Sequence, residues 1–298
     1  MSAEDIPEPL VMGVVNVTPD SFSDGGEWLD PAAAIAHGRE LVAQGAQILD
    51  IGGESTRPGA EPVGEGEELR RVLPVLEGLA GAGARLSIDT SKAAVAAAAI
   101  DAGATIVNDV TALRGDERMA ELIAGRGCDV CLMHMLGEPR TMQRDPRYDD
   151  VVDDVRAFLA ARLQHAVAHG IDEARVWLDP GIGFGKTIDH NLELLARLDE
   201  IVALGRPVVV GTSRKSFLGT ITGRDAGDRV AATIATNVLA LARGARVFRV
   251  HDVAEAHDAL VVAAATLRGR WLPATTTSTS PSMTTTSTTT TRNVFTPP

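Results

Sequence analysis

Apolar positions along this chain gather in eight short runs: Leu10–Val15, Gln47–Ile51, Arg85–Ile88, Thr105–Val107, Val130–Met133, Val176–Leu178, Pro207–Val210 and Val247–Val250. They are rich in valine and isoleucine and nearly continuous rather than alternating, as parallel strands covered on both faces require. Between them lie alanine- and leucine-rich stretches with helical spacing. The first, Pro31–Ala43, begins with an Asp30–Pro31 pair that reads as an N-cap followed by the first helical residue. Glycine follows a helical stretch at Gly45, Gly83, Gly103, Gly127, Gly170, Gly205, Gly244 and Gly269, where a left-handed C-cap belongs. The phrases Gln44-Gly-Ala, Ala102-Gly-Ala and Arg243-Gly-Ala repeat one helix-to-strand connection. Eight such units predict an α/β fold of the (β/α)8 or TIM-barrel class, which takes roughly 250 residues. An open doubly wound sheet is the rival, but the chain lacks a dinucleotide fingerprint.

The pattern also divides the chain. Residues 1–9 read as an N-terminal extension, 10–272 as one barrel domain, and 273–298 as a Thr/Ser-rich tail. That tail has almost no charge and no apolar face, so it is expected to stay disordered. The N-terminus carries acidic residues where a signal peptide needs basic ones, and no apolar run approaches the roughly 20 residues of a membrane helix. A soluble, cytoplasmic protein is expected, with no membrane partner.

Composition narrows the partners. With 45% hydrophobic residues the chain can bury a large core, and its net charge of −12 argues against nucleic acid as a partner. An anionic substrate must then be drawn in by a local cluster of positive groups. Only three of the 28 basic residues are lysines, Lys92, Lys186 and Lys215, so each is a scarce choice. Cys128 and Cys131 form a CxxC, but residues three apart on a strand point to opposite faces, and no second pair completes a zinc site. Buried, inert cysteines are the expectation.

Polar residues collect where a barrel of this kind carries its active site, at the C-terminal ends of the strands. Those positions read Asn16, Gly52-Gly-Glu-Ser-Thr-Arg57, Asp89, Asn108-Asp109, His134, Asp179, Ser213-Arg-Lys215 and Arg249-Val-His251. Arg57, Lys215, Arg249 and His251 supply the positive field that the rest of the chain lacks, and it suits a diphosphate. Arg249 and His251, two apart, face the same way. Asp89 and Asp179 end the third and sixth strands and, with Asn108, suit an amidine-like NH edge. Together these groups predict a flat heterocycle bearing an anionic leaving group.

Three other patterns carry less. Gly181-Ile-Gly-Phe-Gly-Lys-Thr187 resembles a P-loop, but Pro180 stands where that motif needs glycine. It reads instead as a turn that lets a ligand approach the backbone. His134 reads as a buried, hydrogen-bonded histidine, and the pair His165 and His169 as a solvated helix face.

The stretches MGVVNVTPDSFSDGG at 12–26 and GGESTRPGA at 52–60 resemble the paired signature of dihydropteroate synthases. SIDT at 87–90, NDV at 108–110, LMH at 132–134, DPGIGFGKT at 179–187, GTSRKSF at 211–217 and RVHDV at 249–253 follow in order. The resemblance implies condensation of a dihydropterin diphosphate with 4-aminobenzoate. It assigns Mg²⁺ to Asn16 and Asp24, and the pterin to Asp179, Asn108, Lys215 and Asp89. It assigns the diphosphate to Arg249, His251, Thr56 and Arg57, and the 4-aminobenzoate pocket, the expected sulfonamide target, to Phe22, Pro58 and Ser216. Asp89, Asp179, Lys215 and Arg57 are the expected catalytic set, and a homodimer the expected assembly. Because an aniline nitrogen is a weak nucleophile, the resemblance also implies that the C–O bond ionises first. A methyltetrahydrofolate-binding methyltransferase barrel and a non-catalytic pterin-binding paralogue are the alternatives.

Overall fold

The computed structural model describes residues 6–18, 30–55 and 60–271. Eight strands, β1 (Leu10–Asn16), β2 (Ile48–Gly52), β3 (Arg85–Asp89), β4 (Ile106–Asp109), β5 (Asp129–Met133), β6 (Val176–Asp179), β7 (Val209–Val210) and β8 (Val247–Val250), pair in parallel in the order β6-β5-β4-β3-β2-β1-β8-β7. A single parallel bridge between Leu178 and Val208 joins β6 to β7 and brings the ring round. This is the (β/α)8 barrel, and each predicted run falls on its strand to within about two residues at either end.

Ten α-helices cover the outside among the described residues: α1 (Pro31–Ala43), α2 (Glu65–Leu79), α3 (Ala93–Asp101), α4 (Met119–Arg126), α5 (Val151–Ala168), α6 (Ile188–Ala196), α7 (Leu198–Val202), α8 (Ser216–Thr222), α9 (Val230–Ala242) and α10 (Val253–Arg268). The first has the predicted bounds, with Asp30 accepting from the Ala32 N–H at 2.9 Å as its cap. All eight glycines predicted to end a helix have positive φ, from 62° at Gly127 to 107° at Gly103. Two helices exceed one per unit. Helical geometry breaks at Arg197 (φ −114°, ψ 28°), separating α6 from α7, and the short α8 stops at Gly223 in the left-handed region.

Alternation along the strands sorts the core into two compartments. Val11, Val15, Leu49, Ile51, Ile88, Val107, Val130, Leu132 and Phe248 point outward and pack under the helices. The opposite face fills the barrel, and its lower part is an apolar plug of Met12, Ile48, Ile106, Cys131, Trp177, Val209 and Val247. Below that plug Arg85 lies over the Trp177 ring and bonds Asp129 at 2.6 Å, closing the N-terminal end. Cys128 and Cys131 are free and buried in different compartments, as their spacing predicts. The tail 273–298 and most of the extension 1–9 lie outside the described residues.

Candidate active site

Above the apolar plug the same inward positions become polar. Asp50 on β2, Ser87 and Asp89 on β3, Asn108 on β4, Asp179 on β6 and Arg249 on β8 form this upper layer, with Lys215 and His251 just beyond β7 and β8. Strand pairing fixes the level: Gly52 pairs with Asp89, Asp89 with Asn108, and Met133 with Asp179.

Asp50 is the centre of the layer. Fully buried, it accepts from Ser87 Oγ at 2.6 Å, from Asn108 Nδ2 at 3.0 Å and from Arg249 Nε at 2.6 Å. Arg249 also donates to Asp89 at 2.9 Å, so one guanidinium is clasped by two carboxylates. Burial opposes the charge on Arg249, but Asp50 and Asp89 raise its pKa further above the ordinary value. The guanidinium is thus held in place by two carboxylates of the layer. The bond from Asn108 Nδ2 to Asp50 also fixes that amide, leaving Oδ1 as the outward acceptor.

The remaining carboxylates feel the crowding. Burial, and then the charge of Asp50, push the Asp89 carboxyl up to about 7, with Arg249 pulling the other way. Burial raises Asp179 as well, against Lys215 and the Gly181 N–H, which Asp179 Oδ1 accepts at 2.7 Å. Lys215 is lowered to about 8 by burial, partly offset by Asp179. Its ammonium donates to the Ile182 carbonyl and lies 4.4 Å from the Phe184 ring centroid, a cation–π contact. Val110, Met133 and Met135 pack with Phe184 into an apolar group beside it.

The backbone of Arg214, at φ 58°, turns the chain between Ser213 and Lys215, while its side chain pairs with Asp252. His251 Nδ1 lies 3.0 Å from Ser213 Oγ, which also accepts from the His251 N–H. Ser216 is exposed as the first residue of α8. Asn16 ends β1, half-buried, and borders a cavity of about 340 Å³ against α1, lined also by Val15, His37 and Glu40. Phe22, Asp24, Thr56, Arg57 and Pro58 lie outside the described residues.

Two expectations are corrected. Asp109 points outward, and its carboxylate is consumed by Thr111 N–H, Thr111 Oγ1 and Leu113 N–H, so it supports a turn rather than the mouth. The glycine-rich turn presses against its own chain: a Cβ at Gly181 would lie 1.8 Å from the His134 carbonyl oxygen. Asp50 and Ser87 lie inside the predicted runs rather than after them; counting back two from Gly52 and Asp89 places both on the inner face. His134 matches its expectation, buried and bonded to Lys186 at 2.9 Å, and burial drives its imidazole down to about 2. His165 in the last turn of α5 and His169, its C-cap, place their tilted rings 4.1 Å apart, centroid to centroid.

Comparison with known proteins agrees with this geometry. The family model described as pterin binding enzyme matches residues 12–251. The chain belongs to that family, as a dihydropteroate synthase. It is 48% identical to the dihydropteroate synthase of Neisseria meningitidis serogroup C, covering 85% of this chain and 91% of that one. The Escherichia coli K12 enzyme of the same name is 43% identical over 89% of this chain and 94% of its own. A probable bifunctional folylpolyglutamate synthase/dihydropteroate synthase of Haloferax volcanii is 49% identical over 86% of this chain, which spans only 30% of that longer protein. Among solved structures, the Yersinia pestis dihydropteroate synthase with a sulfonamide drug complex superposes with a TM-score of 0.84 at 44% identity, over 89% of this chain and 96% of that one. The Xanthomonas albilineans enzyme in complex with 7,8-dihydropteroate gives 0.79 at 47% identity, over 88% and 94%.

Proposed function

We propose that the upper layer of this barrel binds a (7,8-dihydropterin-6-yl)methyl diphosphate and directs its condensation with 4-aminobenzoate to 7,8-dihydropteroate and diphosphate. The observation that carries the assignment is the sorting of charge in one layer. Asp179 and the outward oxygen of Asn108 suit the NH edge of a 2-amino-pyrimidinone, and Lys215 suits its carbonyl or ring nitrogen. Arg249 and His251, with Arg57, are assigned the positive charge for the diphosphate, and Thr56 a hydroxyl that would bond it. Phe22, Pro58 and Ser216 are assigned to 4-aminobenzoate, the binding that sulfonamides would contest.

The chemistry follows from where charge develops. The aniline attacks weakly, so the C–O bond to diphosphate ionises first, and a cation grows on the pterin. Asp179 and ionised Asp89 lie in the layer that would hold it, already fixed before reaction. Asp50 keeps Arg249 and Asn108 in place. Water must be excluded while that cation lives.

Asn16 offers an amide oxygen at the end of β1, and Asp24 is proposed as its companion for Mg²⁺. Among the described residues no cluster of three His, Cys, Asp or Glu side chains forms a metal cage. An ion held mainly by substrate phosphates and a few protein oxygens fits that donor set. When bound, Mg²⁺ would neutralise charge on the departing diphosphate.

Among the described residues no helix is long and apolar enough to cross a membrane, and the protein is read as cytoplasmic. Exposed Leu239 on α9 and Val262 on the neighbouring α10 support a homodimer packed through these helices. Diphosphate release from the pterin diphosphate, with and without 4-aminobenzoate, tests the activity. Release coupled one-to-one to dihydropteroate is expected. Tight pterin binding with no turnover would instead mark a non-catalytic paralogue.

A further inference from the structure

We propose that Lys186 is a positioning residue for the pterin end of the site, fastening the turn 181–185 that orients both Asp179 and Lys215. The inference rests on the pterin reading above for its consequence, but on geometry alone for the fastening. Lys186 is 4% exposed, and its ammonium touches no carboxylate. Its partners are His134 Nδ1 at 2.9 Å, the Gly181 carbonyl at 2.9 Å and the Phe184 carbonyl at 3.0 Å. Three donors meet three acceptors, which is the full capacity of an ammonium. A cation in such a place is costly unless it is satisfied in this way, so an apolar residue of the same length would pack here more cheaply. Burial pulls the Lys186 ammonium well below the usual lysine range, with Asp179 pulling the other way, so a lysine with three bonds in this place needs a purpose.

The turn supplies one. Lys186 joins its first carbonyl to its fourth and ties both to His134, just beyond β5. The N–H of Gly181 is the donor that Asp179 Oδ1 accepts at 2.7 Å, and the Ile182 carbonyl is the acceptor that Lys215 holds. Two pterin-facing groups, one ending β6 and one preceding α8, thus lean on adjacent residues of one turn. The rest of the turn is clamped as well. Gly183 N–H donates to Asn191 Oδ1, its carbonyl accepts from Gln143, and the Gly185 carbonyl accepts from Tyr148. Gly183 (φ 84°) also leaves room for the Lys215 stem, since a Cβ there would lie 2.9 Å from Lys215 Cδ. His134 is held for its part: its N–H donates to the Asp179 carbonyl at 2.9 Å, and its ring meets Phe158 edge-on at 4.9 Å. With Nδ1 accepting, the imidazole is neutral and protonated on Nε2.

The test is Lys186→Met, close to isosteric and without the three donors. Calorimetry should show pterin diphosphate affinity falling tenfold or more, while KM for 4-aminobenzoate stays within about twofold. A folded variant with wild-type pterin affinity, or with equal losses for both substrates, overturns the proposal. If Lys186→Met does not fold, His134→Ala removes one of the three acceptors together with the ring's contact with Phe158, and should cost about threefold in pterin affinity alone; no change there overturns it equally. A readout free of any substrate separates this inference from the functional one. Acylation of Lys215 by an amine-reactive ester, mapped by mass spectrometry, should speed severalfold once the turn is loosened, whereas an unchanged rate contradicts the fastening. Should wild-type protein bind no pterin diphosphate while that acylation still responds, the functional reading fails and the positioning role stands.

Discussion

The lower and upper halves of the barrel interior come from the same strands and the same alternation of side chains, yet they hold opposite contents. Below, Met12, Ile48, Ile106, Cys131, Trp177, Val209 and Val247 fill the space with apolar surface. Above, three buried or nearly buried carboxylates share the space with Arg249, Asn108 and Ser87. The lower half stabilises the fold by burial, at about 25 cal/mol per Å² of apolar surface. The upper half costs stability, because like charges are forced together where water cannot screen them. A barrel can carry that cost at one end because the other end is closed and well packed. The difference predicts that mutations in the two halves will separate stability from binding.

The largest effect is expected where the two roles meet. Asp50→Ala strands Arg249, Asn108 and Ser87 at once, and breaking a buried pair in this way costs about 3–5 kcal/mol. Urea unfolding and pterin titration should both register it. Loss of binding with no loss of stability would show that Asp50 is not the anchor of the layer. In the lower half, Ile106→Ala should lose about 2–5 kcal/mol through the cavity it leaves. Pterin affinity of the folded fraction should stay within twofold; a larger change would mean that the halves are mechanically coupled.

Smaller effects sharpen the upper half. Asp89 binds its proton more tightly in the fold than in the unfolded chain, since its carboxyl is raised to about 7. The folded state then holds more protons between the ordinary carboxylate range and pH 7, so this group subtracts stability as pH rises through that window. Asp89→Asn removes the repulsion, and at pH 8 it should add on the order of 1 kcal/mol, or roughly 2–4 °C in melting temperature, while slowing turnover. A fall in melting temperature at pH 8 would contradict the crowding. Activity needs Asp89 ionised and Lys215 protonated. The profile of kcat/KM should therefore rise with a limb near 7 and fall with a limb near 8, following the two shifted groups. Lys215→Ala should abolish the upper limb.

Much of this architecture was legible because its causes are local. Strand runs, the Asp30 cap and the eight left-handed glycines each depend on a few neighbouring residues. The break at Arg197 and the two-residue β7 did not show, since both are settled by packing against other elements. At the site, the residues that follow each strand are legible, whereas Asp50 and Ser87 lie inside the predicted runs, where only the alternation that sets Arg249 and His251 on one face singles them out. The same alternation turns Asp109, next to inward Asn108, away from the mouth. Arg249 reads in sequence as one of the positive groups at the strand ends that suit a diphosphate. Its clasp by Asp50 and Asp89 joins residues 199 and 160 positions away, beyond any local pattern. Lys186 stands out in sequence as a scarce lysine in a P-loop-like stretch; its bond to His134 spans 52 positions.

The division of labour is tested most directly by titrating dihydropterin diphosphate calorimetrically into wild type and Asp179→Asn at pH 8, with a thermal melt of each. Asn keeps the shape but removes the charge, weakening a charge-assisted contact worth about 1.5–3 kcal/mol. Affinity should fall about tenfold or more, at roughly 1.4 kcal/mol per decade, while the melting temperature holds or rises. Unchanged affinity, or a loss of affinity matched by a loss of stability, would contradict the account of the upper layer as a pterin site carried by the apolar barrel beneath it.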